Sequence, residues 1–255
     1  MASDTSQTEE GIRLDGRTIA VTGAGSGIGE ATTAKLVARG ASVWALDRDA
    51  DGLGRVADLP GVGTLTADVS DEASLAAAVE RIEAEGALHG VVACAGLGHR
   101  APLEQTTLED WDRIVGVNLR GMFLTAKLTA PLLERSAPAS FVAIASELGT
   151  VGDAGHSAYG TSKAGVIQLM RVLALEFATR GVRFNSVAPG GTVTPMLVGE
   201  LEQQGLPVLE AVPAIPMGRR ARPREIANVV AFLISSESSF VTGATYLADG
   251  GYTAR

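Results

Sequence analysis

Short apolar runs alternate with longer segments of helical periodicity from Thr18 onward, and this alternation limits the possible folds more than any other feature of the sequence. Strands that take turns with helices predict a parallel sheet. The runs are nearly continuous in apolar character, which is typical of strands covered by helices on both faces. We therefore expect an α/β fold with a doubly wound, seven-stranded parallel sheet and helices on both faces. The predicted strands are Thr18–Thr22, Ser42–Leu46, Gly63–Ala67, Gly90–Ala93, Ser140–Ala145, Arg183–Val187 and Thr245–Leu247.

The helices predicted between these strands begin near Gly27, Ala73, Leu108, Asn118, Ser157 and Pro223. No linker, charge run or repeat interrupts the order, so residues 12–255 are expected to form a single domain after a disordered or frayed tail at residues 1–11. The segment 190–218 departs from the alternation, because prolines cluster there around an amphipathic piece near Met196. Long insertions are often lids or binding loops, which predicts a substrate loop at 190–218; a surface excursion without function is the alternative.

The charge balance and the cysteine count exclude several classes of function. The chain has 29 Asp and Glu against 21 Lys and Arg, a net charge of −8, so no nucleic-acid partner is expected. Its polar, acidic start and the lack of an apolar run of about 18 residues predict neither a signal peptide nor a membrane partner. Cys94 is the only cysteine and the sequence has no metal-ligand cluster, so we expect no disulfide, no metal and a cytoplasmic location.

A glycine-rich turn follows the first predicted strand and leads into a helix. Its sequence, Thr22-Gly23-Ala24-Gly25-Ser26-Gly27-Ile28-Gly29, reads T-G-x-x-x-G-x-G. Glycines let the backbone approach a pyrophosphate, whose charge is favoured by the N–H groups and the positive dipole end of the helix. The turn predicts a Rossmann-type dinucleotide site formed by Gly23, Gly25, Ser26, Gly27, Ile28 and Gly29, although a merely tight connection is the alternative.

Acidic residues end the second and third predicted strands. Asp47 lies where a carboxylate accepts hydrogen bonds from an adenosine ribose and repels a 2′-phosphate, which favours NAD over NADP. Arg48 beside it would weaken that discrimination, and a turn-capping aspartate is the structural alternative. Asp68 and Val69 are candidates for a site near the adenine, or for a plain turn at the end of the strand.

Tyr159 and Lys163 are four residues apart, a spacing that places both on one face of a helix. A phenol with a pKa near 10 is a weak base at neutral pH, but an adjacent ammonium and a bound nicotinamide cation both lower that pKa. Tyr159 is therefore the candidate general acid/base. Ser146, at the end of the fifth predicted strand, is expected beside it, offering its hydroxyl to a substrate oxygen.

These motifs resemble the short-chain dehydrogenase/reductase family, in its single-domain branch with the Thr-Gly-rich cofactor turn. The resemblance covers nearly the whole chain and is carried by the glycine turn, Asn118, Ser146, Tyr159, Lys163, Pro189-Gly190, Thr192 and Asp249-Gly250-Gly251. It implies that Tyr159 exchanges a proton, that Lys163 holds the nicotinamide ribose and that Ser146 orients the substrate oxygen. It also implies that Asn118 helps to hold a proton-relay water, that Thr192 lies near the nicotinamide carboxamide, and that Pro189 and Gly190 are cofactor-binding residues.

One motif departs from the family. After the fourth strand the family usually has Asn-Asn-Ala-Gly or Asn-Ala-Ala-Gly, whereas this chain has Ala93-Cys94-Ala95-Gly96. Ala95 and Gly96 keep a close backbone approach to the cofactor. Without the asparagine we expect a local loss of hydrogen bonding, with Cys94 packed as a small apolar group rather than acting as a nucleophile.

The substrate contacts and the partners are less strongly marked. His156 and Met196 are candidate substrate contacts, whereas His99, which could also project toward a substrate, is expected to be an ordinary polar side chain at the surface. The apolar side chains of 190–218 predict an apolar or mixed pocket with few charges to hold an anionic substrate, although Arg219 and Arg220 at the end of the segment weaken that expectation. The helix beginning near Ser157 is apolar on most sides, which favours a homodimer or homotetramer over burial within one chain. We expect an NAD-dependent oxidoreductase that interconverts a secondary alcohol and a ketone. The alternatives are an NADP-dependent reductase of 3-oxoacyl carriers and a catalytically idle dinucleotide-binding protein.

Overall fold

A computed structural model describes residues 12–203, 205–208 and 212–254 of the chain. Its sheet has seven parallel strands in the order β3-β2-β1-β4-β5-β6-β7, which confirms the predicted fold class. The predicted tail at residues 1–11 lies outside the described residues. The strands are β1 (Thr18–Thr22), β2 (Ser42–Asp47), β3 (Val62–Thr66), β4 (Gly90–Ala93), β5 (Ala139–Ile144), β6 (Val182–Pro189) and β7 (Thr245–Ala248).

The helices lie on both faces of the sheet. They are α1 (Gly27–Val37), α2 (Ala50–Ala57), α3 (Glu72–Ala84), α4 (Leu108–Val115), α5 (Gly121–Arg135), α6 (Ser157–Phe177), α7 (Pro195–Gln203) and α8 (Pro223–Ile234). One core joins α3, α5 and α6 to the sheet and includes the stacked rings of Phe141 and Phe184, 5.2 Å apart. The other core joins α1, α2 and α8 to the opposite face. Each strand is thus covered on both sides, as its continuous apolar sequence requires.

The helix predicted to begin near Asn118 is α5, which begins at Gly121 and continues directly from α4. The chain stays helical from Leu108 to Arg135, passing through a π-helical segment at Gly116–Arg120 in which the Gly121 N–H donates to the Gly116 carbonyl. One wide turn adds a residue to the helix without ending it, and such turns are frequent at functional sites.

The strand order reverses at β1, which lies between β2 and β4. Parallel strands bring their carboxyl ends to one edge of the sheet, and the crevice outside that edge, at the reversal, is where doubly wound folds bind ligands. The segments that follow β1, β2, β4, β5 and β6 all meet there, and they carry the residues singled out from the sequence.

Candidate active site

A cavity of about 660 Å³ opens along this edge of the sheet. Its size is in the range of cofactor and ligand sites. All but one of the predicted site residues line it, and the exception is Asn118. The predicted residues in the wall are Gly23, Gly25, Ser26, Gly27, Ile28, Gly29, Asp47, Asp68, Val69, Ala95, Gly96, Ser146, His156, Tyr159, Lys163, Pro189, Gly190, Thr192 and Met196.

The glycine turn forms a cradle with no room for side chains. Gly23 has φ of +67°, and a Cβ there would lie 2.7 Å from the Ala95 nitrogen. A Cβ at Gly29 would lie 2.0 Å from the Gly23 carbonyl oxygen, so α1 packs directly on the turn. The backbone is therefore open to a phosphate at the N-terminal end of α1, and these residues fit the pyrophosphate of a dinucleotide.

Asp47 joins the end of β2 to this cradle. Its Oδ2 accepts a hydrogen bond from the Gly25 N–H at 2.9 Å, and its Oδ1 accepts one from the Asp49 N–H at 3.0 Å. The carboxylate is thus held at the cavity wall by two backbone donors. Arg48 lines the same part of the cavity, so a positive and a negative side chain are adjacent where the adenosine ribose is expected.

Asp68, after β3, closes a turn at the end of that strand. Its Oδ1 accepts hydrogen bonds from the Ser70 N–H at 2.8 Å and the Ser70 hydroxyl at 2.6 Å. The hydrogen bond from the Ser70 hydroxyl is the main reason why the pKa of Asp68 is lowered. Asp68 is therefore a turn residue that also lines the cavity, and its position near the adenine stays a prediction.

Ser146 and Tyr159 meet at the centre of the cavity wall. Ser146 follows β5, is buried, and accepts a hydrogen bond from the Leu148 N–H at 3.2 Å. Burial raises the pKa of the Tyr159 phenol, against a hydrogen bond with the Ser146 hydroxyl that lowers it, while the charges of Glu200 and Glu147 raise it further. The lowered phenol pKa expected from the sequence is therefore absent in the chain alone, because desolvation outweighs the favourable contact.

Lys163 lies on the same face of α6 as Tyr159. Its side chain is buried, and its Nζ donates to the Ile144 carbonyl at 2.8 Å and lies 5.8 Å from the centre of the Tyr159 ring. Burial lowers the pKa of Lys163 to about 8. The ammonium form thus predominates at neutral pH, close to the phenol, despite its removal from water.

Asn118 lies in the π-helical segment behind the cavity wall. Its Oδ1 accepts from the Leu97 N–H at 2.7 Å, and its Nδ2 donates to the Leu97 carbonyl at 3.0 Å and to the Ser162 hydroxyl at 3.1 Å. The side chain therefore fixes the segment after β4 against α6. The expectation that Asn118 helps to hold a relay water stays a prediction, since both amide hydrogens are already used.

Cys94 stands where the family usually has asparagine. Desolvation raises the pKa of its thiol to about 12, which keeps it neutral and a weak nucleophile, as the sequence predicts. The end of β4 is tied to β1 by Thr22 instead: its carbonyl accepts from the Cys94 N–H at 3.2 Å and its hydroxyl from the Ala95 N–H at 3.3 Å.

The segment 190–218 contributes the helix α7 to the cavity. Thr192 is buried and donates its hydroxyl to the Gly190 carbonyl at 2.9 Å, which fixes the start of the segment. Met196 lies over Gly98, where a Cβ would be 3.2 Å from the Met196 Cγ. Met196, Leu197 and Leu201 line the cavity. Together with Glu200 they give α7 a mixed apolar and acidic side toward the cavity, as expected if the segment contacts the substrate.

Charged side chains, most of them acidic, line the substrate end of the cavity. Glu147, Asp153 and Glu200 all line the cavity, together with Arg100 and Arg220. Burial and the charges of Asp249 and Asp153 raise the pKa of Glu147 to about 7. Glu147 and Asp153 lie between β5 and α6, and Glu200 lies on α7 among the apolar side chains of 190–218. The position of Glu147 directly after Ser146 was a signal that sequence reasoning missed.

His156 and His99 both line the cavity, and the contact of His156 with a substrate stays a prediction. The His156 ring lies edge-on to Tyr159, with the ring centres 6.1 Å apart, and its side chain is 9% exposed. The side chain of His99 is 14% exposed, so it is more buried than the polar surface residue expected from the sequence.

A glycine cradle and a Ser-Tyr-Lys group within one cavity are typical of doubly wound enzymes that use nicotinamide dinucleotides. The family described as enoyl-(acyl carrier protein) reductase matches residues 23–253. The chain is 41% identical to cis-4-hydroxycyclohexanecarboxylate dehydrogenase of Sinomonas cyclohexanicum, over 93% of this chain and 97% of that protein. It is 38% identical to 3-oxoacyl-(acyl-carrier-protein) reductase FabG of Thermotoga maritima, over 94% and 99%.

Among solved structures, a short-chain type dehydrogenase/reductase from Mycobacterium ulcerans superposes with a TM-score of 0.89 at 36% identity, covering 95% of this chain and 92% of that one. The chain therefore belongs to the short-chain dehydrogenase/reductase family, and it is an oxidoreductase. Within the described part of the chain, no helix has the length and apolar character needed to cross a membrane.

Proposed function

We propose that this protein is an NAD-dependent oxidoreductase that interconverts a secondary alcohol and a ketone, with Tyr159 as the general acid/base. The observation that carries the proposal is that Ser146, Tyr159 and Lys163 line the same cavity as the glycine cradle. A protein that only binds a dinucleotide has no need of a buried phenol beside a buried ammonium. Bound NAD would supply the nicotinamide ring, which accepts the hydride that leaves the carbinol carbon.

The side chains divide the remaining work. The Ser146 hydroxyl, which is hydrogen-bonded to the Tyr159 phenol, orients the substrate oxygen beside that phenol. Tyr159 takes the hydroxyl proton in oxidation and returns it in reduction. Lys163 keeps a positive charge near the phenol at neutral pH, and it lines the cavity where the nicotinamide ribose is expected. A cation beside the phenol favours phenolate, so the positive charge of the bound oxidised nicotinamide would lower the pKa of Tyr159 in the same direction as the charge of Lys163.

Asp47 supports NAD over NADP. Its carboxylate is fixed at the cavity wall by the Gly25 and Asp49 N–H groups and repels a 2′-phosphate. The second candidate is an NADP-dependent reductase of 3-oxoacyl carriers. Two observations favour it: Arg48 lies beside Asp47 at the cavity wall, and the chain is 38% identical to the Thermotoga maritima reductase.

Exposed apolar side chains on α6 support assembly into a homodimer or homotetramer. On α6, Val166 and Met170 are buried within the chain, whereas Val172 is 41% and Leu175 is 85% exposed. A second subunit that covers this side removes apolar surface from water. We further propose that residues 12–255 act as one domain with 190–218 as its substrate loop, and that the protein works in the reducing cytoplasm.

The test is a panel of secondary alcohols and diols assayed for NADH absorbance. We expect turnover with wild type and loss of turnover in Tyr159→Phe with NAD binding nearly intact. Tyr246→Phe is the matched control, because Tyr246 lies on β7 against Phe232. Coenzyme binding without any turnover would support an idle dinucleotide-binding protein. A higher kcat/KM with NADP than with NAD would support the second candidate.

A further inference from the structure

The substrate end of the cavity contains buried polar atoms that lack partners. Among the residues that the structure describes, His99 Nε2, Glu147 Oε2 and His156 Nδ1 are buried and accept or donate no hydrogen bond. All three residues line the cavity. Buried polar atoms are nearly always bonded, and an unsatisfied one carries a cost, so three in one cavity wall point to a polar group that binds against them.

This polar wall, defined as His99, Glu147, Asp153, His156 and Glu200, borders the proton-transfer site. His156 lies edge-on to the Tyr159 ring at 6.1 Å between centres, and Glu147 follows Ser146 in the chain. The segments that carry the two histidines are joined, since the Ala101 N–H donates to the Gly155 carbonyl at 2.9 Å. A substrate whose reacting oxygen lies between Ser146 and Tyr159 therefore presents its neighbouring atoms to the wall.

The charges of the wall limit which substituent fits. Asp153 Oδ2 lies 3.1 Å from His156 Nδ1, without the alignment of a hydrogen bond, and Glu200 Oε1 lies 3.5 Å from His156 Nε2. The imidazole thus lies between two carboxylates. A substrate carboxylate beside this imidazole would be repelled by both of them.

A hydroxyl group matches the wall best. It donates to a carboxylate and accepts from an imidazole N–H at the same time, whereas an ammonium only donates and a ketone only accepts. It also suits Glu147 in either protonation state, since it accepts from the acid and donates to the carboxylate. An apolar group would exclude water from the wall and leave its polar atoms unsatisfied.

We propose that the substrate is a secondary alcohol that carries a second hydroxyl group, a diol or polyol, and that the polar wall binds this second hydroxyl. The inference rests on the proposed function, because it takes the hydroxyl between Ser146 and Tyr159 as the reacting group.

Four compounds that share one ring test the inference: cyclohexanol, 1,2-cyclohexanediol, 2-aminocyclohexanol and 2-hydroxycyclohexanecarboxylate. We expect kcat/KM for the diol to exceed that for cyclohexanol by about tenfold or more, since one satisfied buried hydrogen bond is worth about that factor. Equal values for these two compounds would overturn the proposal. The highest value for the amine or for the hydroxy acid would overturn it as well.

Variants on one helix give a matched comparison. Glu200 faces His156 from α7, whereas Glu202 on the same helix is exposed. We expect Glu200→Leu to bring the ratio of kcat/KM for diol over cyclohexanol close to one, and Glu202→Leu to leave it unchanged. His156→Phe should change the ratio in the same way as Glu200→Leu, because it removes the imidazole of the polar wall. The variant should leave α6 intact, since the His156 side chain makes no cap hydrogen bond to that helix. An unchanged ratio in both wall variants contradicts the proposal.

Ligand-detected NMR separates this inference from the proposed function. With NADH-saturated protein, we expect stronger saturation transfer to the diol than to cyclohexanol, and a loss of that difference in His156→Phe. If no compound turns over but the binding preference for the diol persists, the proposed oxidoreduction fails and the polar wall stands. If the compounds turn over without any preference in rate or binding, the polar wall fails and the proposed function stands.

Discussion

Replacing Glu147 with glutamine should stabilise the coenzyme-free protein at alkaline pH. Glu147 is a partly buried carboxyl whose Oε2 has no hydrogen-bond partner among the described residues, and it faces the charges of Asp249 and Asp153. Its hydrogen bond from the Gly191 backbone opposes these effects but does not cancel them. The neutral amide keeps an acceptor for Gly191 and removes the charge.

The magnitude follows from the pKa of Glu147, which rises from 4.5 to about 7. A group with a raised folded-state pKa binds more protons in the folded chain, so its contribution to stability falls as the pH rises from about 4.5 to 7. A rise of this size corresponds to about 3 kcal/mol. Because Glu147 is only partly buried, solvent screening reduces the expected gain for Glu147→Gln at pH 8 to about 1–2 kcal/mol.

Thermal unfolding of the coenzyme-free protein measures this effect. For a chain of this size the gain corresponds to a rise in Tm of about 3–6 °C at pH 8, and the two proteins should differ much less at pH 5. Glu202→Gln, an exposed glutamate on α7, is the control and should not change Tm at either pH. A lower Tm for Glu147→Gln at pH 8, or an equal rise at pH 5, would refute the reasoning.

Three further predictions concern the coenzyme, the buried ammonium and the assembly. Asp47→Asn should raise the ratio of kcat/KM with NADP over NAD by about tenfold or more, because a carboxylate repels a nearby phosphate by about 2–3 kcal/mol at intermediate dielectric; steady-state kinetics with both coenzymes would show it. Lys163 has a lowered pKa in the folded state, so the free energy of unfolding of wild type, measured in urea, should rise by about 2 kcal/mol relative to that of Lys163→Met between pH 7 and 10. The same pH dependence of the unfolding free energy in both proteins would contradict this prediction. Leu175→Asp should lower the molar mass measured by light scattering, and an unchanged mass would exclude this side of α6 from the interface.

Much of the fold could be predicted from the sequence because its strands are buried on both faces. That burial requires continuous apolar runs, and the runs locate the strands within a few residues. The helix α2 was not predicted. It has only eight residues, two of them glycines, and its buried side is reduced to Leu53 and Val56 beside Gly52, which is too short for a helical period to emerge.

The proximity of the proposed catalytic residues Tyr159 and Lys163 could be predicted because their spacing is local, whereas the charged groups at the substrate end could not be predicted. Tyr159 and Lys163 share one helix, so four residues of separation are sufficient to place them together. Glu147 and Glu200 come from segments more than fifty residues apart and meet only through the packing of α7 over the cavity. The raised pKa of Tyr159 is likewise a product of burial, which spacing along the chain does not reveal.

Isotope transfer tests the central claim most directly. A secondary alcohol that wild type oxidises is deuterated at its carbinol carbon, and the coenzyme is recovered for mass spectrometry. We predict that deuterium appears in the reduced coenzyme with wild type and with Tyr246→Phe, and that Tyr159→Phe transfers essentially none. Ketone formation without deuterium in the coenzyme, or transfer by Tyr159→Phe at a rate near that of wild type, would contradict the proposed chemistry.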